Sequence, residues 1–242
     1  MGKINLRLLD PRDYEDKILA PEEILSWFDA EDAYWAYEGE PSPTKAHAEL
    51  TSGLCSDGFF DCLLVLRYPN IAEILGQQLF RRLTEGGWLR PEEVKVDWVV
   101  SSSYAAITFG HEVAKAFGAI FMLAEKDQSD PFGKKMSWRR MTIPAEAKVL
   151  QVEELITTSG TFKEVRRAVE EGNAIKPVNF ISPVGALVHR PPKLPIEYDG
   201  RKVVAVIEKE IRAFDPKECP YCASGSRRYR PKTHWKELTG KG

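Results

Sequence analysis

Apolar and polar positions along the chain fall into alternating helical stripes and short strand-like runs. Pro21 can open a helix, with Glu22 and Glu23 in its first turn and Ile24, Leu25 and Phe28 on one face, so a helix is expected over 21–38. Gly39 to Pro43 breaks it. The run FFDCLLVL, Phe59 to Leu66, fits a buried strand or a helix segment equally well. Ile71, Ile74, Leu75, Leu79 and Leu83 then recur at helical spacing up to Gly86-Gly87. After that the order is regular. A strand is expected at Val96–Val100, then a helix at Ala105–Phe117 with Ile107, Gly110, Ala114 and Phe117 on one face, then a strand at Ala119–Leu123. A long polar stretch, Asp127 to Pro144, is followed by a strand at Val149–Val152, a helix at Thr161–Glu170, and strands at Ala174–Ile181 and Val203–Ile207. Beyond Asp215 no helical or strand period is visible. Strand–helix alternation of this kind implies a parallel sheet with helices on its faces.

Composition narrows the class without changing that picture. A chain of 242 residues, 43% apolar and 29% charged, suits one α/β domain with at most a small appendage, and excludes wholesale disorder. The longest nearly apolar run, Ala116 to Ala124, is far too short to span a membrane. The opening MGKINLRLLD lacks an apolar signal core, and Leu6 stands where a myristoylation signal wants Ser or Thr, so a cytoplasmic protein is expected. A net charge of −2 argues against bulk nucleic-acid binding. The total hides an asymmetry: residues 1–61 carry a net charge of −9 and residues 217–242 one of +5. Two solvated surfaces attracting each other across the fold or a dimer would account for it, as would a basic tail beside a polyanionic ligand.

With no export signal, the four cysteines predict free thiols or a metal rather than disulfides. Cys219-Pro-Tyr-Cys222 is half a zinc knuckle, and a closed site needs four ligands. His234 is the candidate third ligand and Cys55 or Cys62 the fourth; a redox pair and an incidental thiol pair are the alternatives. His47, His111, His189 and His234 show no paired spacing and are expected to have packing or surface roles.

The most informative segment is VLQVEELITTSGT, Val149 to Thr161: a buried strand, two carboxylates, a Thr/Ser/Gly turn, then a helix. Backbone N–H groups at such a helix start point outward and bind anions, and Thr157, Thr158, Ser159 and Thr161 add hydroxyl donors. Gly160 lets the backbone approach a phosphate closely. Glu153 and Glu154 fall at the carboxyl end of the strand, where open α/β sheets bind ligands, and suit sugar hydroxyls or a Mg²⁺.

This segment resembles the phosphoribosyl pyrophosphate (PRPP) signature of type I phosphoribosyltransferases, with Glu-Glu where Asp-Asp or Glu-Asp is usual and Ser159 at a common glycine position. Val96 to Ala114, VDWVVSSSYAAITFGHEVA, looks like the strand and pyrophosphate loop of the orotate branch. It places Ser101, Ser102, Ser103 and Tyr104 in the loop, and Ala105 and Ala106 where a lysine and a glycine are usual. LTSGLCSDGFFD, Leu50 to Asp61, is similar to the element that covers the base in that branch. Ser52, Gly53, Ser56, Phe59, Phe60 and Asp61 match it, while Thr51 replaces a frequent lysine.

The resemblance implies an α/β type I phosphoribosyltransferase fold, a central parallel sheet flanked by helices, with an N-terminal hood within residues 1–212 and a basic C-terminal extension over 213–242. It implies transfer of phosphoribose from PRPP to orotate in a cytoplasmic homodimer, with Mg²⁺. Thr157, Thr158, Ser159, Gly160 and Thr161 would hold the 5′-phosphate, and Ser101 to Tyr104 the pyrophosphate. Ser52, Gly53, Phe59 and Phe60 would hold the base. Glu153 and Glu154, with Lys126, Lys134 and Lys135 from a closing loop, would be catalytic. A purine-base enzyme, a non-catalytic ligand sensor and a zinc-dependent adaptor are the competing readings.

Overall fold

The computed structural model describes residues 4–90 and 95–240; the Met-Gly start that bears on lipidation lies outside them. Helix α1 spans Pro21–Ala30, shorter than expected. A turn at Glu31-Asp32, with Asp32 left-handed at φ 53°, ends it. Tyr34–Ala36 is then strand β1. Ala46–Glu49 is β2, Cys55–Ser56 is β3, and Gly58–Phe60 is β4, which pairs antiparallel with β1. The FFDCLLVL run realises both of its readings. Its start belongs to β4, and Cys62–Leu66 forms the short helix α2. Helix α3, Pro69–Thr84, buries Ile71, Ile74, Leu75, Leu79 and Leu83 as the spacing predicts.

Strand β5 (Trp98–Ser102), helix α4 (Ala106–Phe117) and strand β6 (Ile120–Lys126) follow as expected. The buried face of α4 is Ala106, Phe109, Gly110, Val113 and Ala114, one step round from the predicted stripe. The polar stretch after it is not one loop. Met136–Ser137 is β7, turned back antiparallel on β6, and Met136, Trp138 and Ile143 are buried. The Asn173 side chain clasps Ile143, accepting from its N–H (2.7 Å) and donating to its carbonyl (3.0 Å). Only residues 127–135 project as a hairpin tip.

Strand β8 (Lys148–Ile156) leads into helix α5 (Gly160–Gly172). The expected strand over 174–181 shrinks to β9, Asn179–Phe180, since Pro177 has no N–H to give to a ladder. The neighbouring central strand is β10, Val184–His189, buried throughout. It is followed by β11, Val203–Glu208. The main sheet runs β11-β10-β8-β5-β6-β7, with β9 beside β8. Every pair is parallel except β6 with β7. One face packs on α1, α3 and α4 in the principal core. The other packs on α5, where Trp98, Val100, Val149, Val165 and Val169 form a second cluster.

The tail does have structure: β12 (Ala213–Phe214), α6 (Pro220–Ala223), β13 (Arg227–Tyr229) and α7 (Trp235–Thr239). Elements this short leave no readable period. They complete a second sheet with the hood, ordered β12-β3-β2-β13. No helix among the described residues is long and apolar enough to cross a membrane.

Helices α3 and α4 touch through Gly76, where an added Cβ would lie 2.9 Å from the backbone carbon of Glu112. Helix propensity alone would make Gly76→Ala stabilising. The contact predicts the opposite sign, a loss of about 1–3 kcal/mol in denaturant unfolding.

Candidate functional site

The site is built on the carboxyl end of the parallel sheet. Successive strand residues face opposite sides of the sheet. On β8, Gln151 and Glu153 therefore face α5, while Val152 packs in the principal core on the other face and Glu154 emerges on that face beside the hood. Gln151 Nε2 donates to the Phe162 carbonyl (2.7 Å), bracing the first turn of α5. Glu153 is fully buried and accepts a 2.5 Å hydrogen bond from Ser102 Oγ on β5; its Oε1 has no partner. Burial pushes the Glu153 carboxyl up to about 8, against the lowering effect of the Ser102 bond. Glu154 is raised by burial too, while the charges of Lys126 and Lys232 pull it down. The pair straddles the sheet: one carboxyl is dry and holds its proton more tightly than a free one, and the other faces cations.

Immediately beyond, residues Leu155 to Phe162 line a cavity of about 110 Å³, the size of a phosphate group. Ser159 sits at the helix start in the left-handed region (φ 67°), which explains why this position favours glycine. Two residues that local motifs did not reveal support the cradle. The Tyr198 O–H donates to the Thr157 carbonyl (3.0 Å) and lies 3.2 Å from His189 Nε2, and His189 Nδ1 lies 2.8 Å from Glu208.

On the other side, a cleft of about 450 Å³ is lined by Ser103, Tyr104, Lys126, Arg139 and Arg140 among others. Ser101 is buried with its hydroxyl on the Ser102 carbonyl, and Ser102 is committed to Glu153. Ser103 Oγ is buried without a partner, and Tyr104 is 73% exposed. Lys126 Nζ donates to the Gly133 carbonyl (2.8 Å), closing the hairpin base. Lys134 and Lys135 are exposed at the tip, and their N–H groups donate to Asp130 (2.6 and 2.7 Å).

In the hood, Ser52 and Gly53 form the β2–β3 turn, where the Gly53 N–H donates to the Leu50 carbonyl (2.8 Å). Phe60 is taken up by the core against Phe28 and Tyr34. Phe59 is half-buried and meets the Trp235 ring at 6.4 Å. Arg190, one residue past β10, was not foreseen. Its Nε is buried with no partner, and its charge acts on Cys62 and Asp57. An isolated arginine on a strand end carries no local motif.

The thiol cluster includes Cys55, one of the two expected cysteines, but a different histidine from the expected one. Cys219 and Cys222 meet His47 and Cys55. His234 is exposed and stacks on Tyr229, and Cys62 donates to the Glu154 carbonyl (3.5 Å). All four cysteines are free thiols.

A phosphate-sized cradle at a helix start, an acidic pair at the strand end before it and a cation-lined cleft alongside define a phosphoribosyltransferase-type site. Orotate phosphoribosyltransferase of Thermoanaerobacter sp. (strain X514) is 30% identical over 184 residues, 75% of this chain and 85% of that protein. The Pelotomaculum thermopropionicum orotate phosphoribosyltransferase is 29% identical over 181 residues, again 75% and 85%. The chain belongs to the type I phosphoribosyltransferase family. No protein-family model matches it. Among solved structures, Leishmania donovani UMP synthase superposes with a TM-score of 0.51 at 15% identity, over 78% of this chain and 36% of that one, a likeness of fold alone.

Two outcomes follow from the geometry. Glu153 binds its proton more tightly when folded, so its contribution to stability is full below about pH 4.5 and is lost as pH rises through about 8. Glu153→Gln should therefore match wild type in Tm at about pH 5 and exceed it at about pH 9. Ser159→Gly relieves the left-handed backbone and should add about 1 kcal/mol in denaturant unfolding.

Proposed function

We propose that this protein transfers phosphoribose from PRPP to orotate, giving orotidine 5′-monophosphate and pyrophosphate. The observation that carries this reading is the phosphate cradle placed directly after the Glu153–Glu154 pair. Thr157, Thr158, Ser159, Gly160 and Thr161 hold the 5′-phosphate through N–H and hydroxyl donors at the start of α5. Glu154, with Glu153 behind it, takes the ribose hydroxyls and offsets positive charge developing on the ribose. Ser103, Tyr104 and Lys126 face the departing pyrophosphate, with Ser101 and Ser102 holding the loop beneath them. Lys134 and Lys135, at the exposed hairpin tip, would reach the pyrophosphate of a neighbouring chain in a homodimer. Closing that hairpin excludes water from the reacting carbon.

The Glu154 carboxylate is a hard oxygen donor of the kind Mg²⁺ takes, whereas Glu153 is buried on the other face of the sheet, so of the pair Glu154 is the residue that would hold a Mg²⁺–PRPP complex. The ion would supply charge neutralisation on the pyrophosphate oxygens.

Orotate is favoured over neutral bases by Arg190. A partly buried arginine whose Nε has no partner, beside the hood, calls for an anionic ligand, and the carboxylate of orotate provides one. Phe59 offers a ring face, and Ser52 and Gly53 offer polar groups at the hood turn. Ala105 and Ala106, where a lysine and a glycine are usual, favour a second reading, a ligand sensor that binds PRPP without turnover.

A Mg²⁺-dependent assay with PRPP and a panel of orotate, uracil, hypoxanthine, guanine, xanthine and adenine separates these readings. Turnover with orotate alone is expected. Turnover with a purine would overturn the base assignment, and silence with retained PRPP binding would establish the sensor. Glu154→Ala and Thr158→Ala should cripple turnover. Arg190→Gln should raise the KM for orotate roughly 10- to 100-fold and leave that for PRPP nearly unchanged.

A further inference from the structure

The hood and the extension meet at a cluster that phosphoribosyl transfer does not use. His47 of β2, Cys55 of β3, Cys219 before α6 and Cys222 within it bring one nitrogen and three sulfurs within 4.8 Å of one another. Cys222 Sγ lies 3.4 Å from His47 Nε2 and 3.6 Å from Cys55 Sγ, and Cys219 Sγ lies 3.8 Å from His47 Nε2. Around a tetrahedral Zn²⁺, with Zn–S about 2.3 Å and Zn–N about 2.0 Å, sulfurs sit about 3.8 Å apart and a sulfur and nitrogen about 3.5 Å apart. These three spacings match to within about 0.3 Å.

The imidazole is also held in the tautomer a metal needs. Ser226 has one hydroxyl proton, which it donates to the Lys45 carbonyl (2.6 Å). Its oxygen, 2.8 Å from His47 Nδ1, therefore accepts the Nδ1–H, leaving Nε2 a bare lone pair aimed at the thiols. His47, Cys55 and Cys219 are at most 2% exposed, walled by Tyr37 and Tyr221. Three sulfurs and one imidazole, three of the four residues buried and Cys222 partly so, are the four-ligand set of a structural zinc rather than a catalytic one.

We propose that His47, Cys55, Cys219 and Cys222 hold a structural Zn²⁺ that fastens the basic C-terminal extension to the acidic hood. Each cysteine enters as a thiolate and its proton leaves to solvent. The small sheet needs such a fastener. Its strands are two to four residues long, and the cysteine–tyrosine cluster under it is too small a core to hold them. The metal also fixes where the rest of the tail goes. Downstream of Cys222, Lys232 Nζ comes 3.4 Å from Asp61 and its charge reaches Glu154, while Trp235 meets Phe59. The tail is thus held as a wall beside the Glu154 side of the site, a placement that stands whichever base is used.

The test is the metal content of the full-length chain, purified under reducing conditions without chelator. About one Zn²⁺ per chain is expected, and the Zn²⁺-free chain should take up Co²⁺ with a thiolate charge-transfer band and tetrahedral ligand-field bands. Cys219→Ser and Cys222→Ser should lose the metal, and Cys62→Ser and His234→Ala should keep it. Should the first two fail to fold, the Co²⁺ spectrum of the unaltered chain decides. Less than about a tenth of an equivalent of metal with no Co²⁺ uptake would overturn the proposal. So would a stable Cys55–Cys222 disulfide in the purified chain, or metal retained by a folded Cys219→Ser variant.

Discussion

Strand β8 must carry two carboxyl groups from the dry interior of a parallel sheet to the turn that opens α5 within a few residues. The remaining geometry follows from that demand. The alternation of the strand sends the pair to opposite faces, so the two cannot share one environment. Glu153 stays under α5, held by Ser102, and its pKa is raised because burial outweighs its one hydrogen bond. Glu154 turns toward the hood, where Lys126 and Lys232 lower the cost of its charge. A single buried residue thus forces its neighbours. Ser102 must be small and a donor, Gln151 must brace α5, and the turn after Ile156 must reach the helix through a left-handed Ser159.

The opposed charges of the two chain ends have a structural sense as well. The acidic N-terminal part supplies β2 and β3, and the basic tail supplies the strands that flank them. Ion pairs cross this junction at Arg230–Glu49 (3.0 Å), Arg212–Asp57 (2.8 Å) and Lys232–Asp61 (3.4 Å). Such pairs on a protein surface contribute little each. One of them is positional: Lys232 brings its charge to Glu154, in a protein with no net positive charge.

The centre of the fold was legible because strand, carboxylates, turn and helix are contiguous between Val149 and Thr161, so local chemistry and long-range packing agree. Helix α3 was legible for the same reason, its apolar stripe being long and unbroken. Legibility failed where a feature depends on partners distant in sequence. Strand β10 was missed because prolines and short apolar runs around residues 174–195 blur its ends. The span after Asp127 reads as a loop because Met136, Trp138 and Ile143 are isolated apolar positions, buried only by the return onto α5. His47 has no local signal at all. It meets Cys219 and Cys222 only because β13 pairs with β2, with Arg228 opposite His47, so the nearer His234 was the natural choice from spacing and the wrong one. Tyr198 and Arg190 lie outside any motif, the first joined to the Thr157 carbonyl by one hydrogen bond and the second marked by one buried nitrogen without a partner.

The central claim is that the turn after β8 is a phosphate cradle backed by two carboxyl groups in different surroundings. Isothermal titration of Mg²⁺–PRPP into the protein at neutral pH tests it most directly, alongside Thr158→Ala and ribose 5-phosphate as a fragment ligand. The account predicts one site per chain for PRPP, weaker binding of ribose 5-phosphate at that same site, and loss of both ligands in the variant. Unchanged affinity of both ligands for Thr158→Ala, or no binding by the wild-type chain, would contradict it.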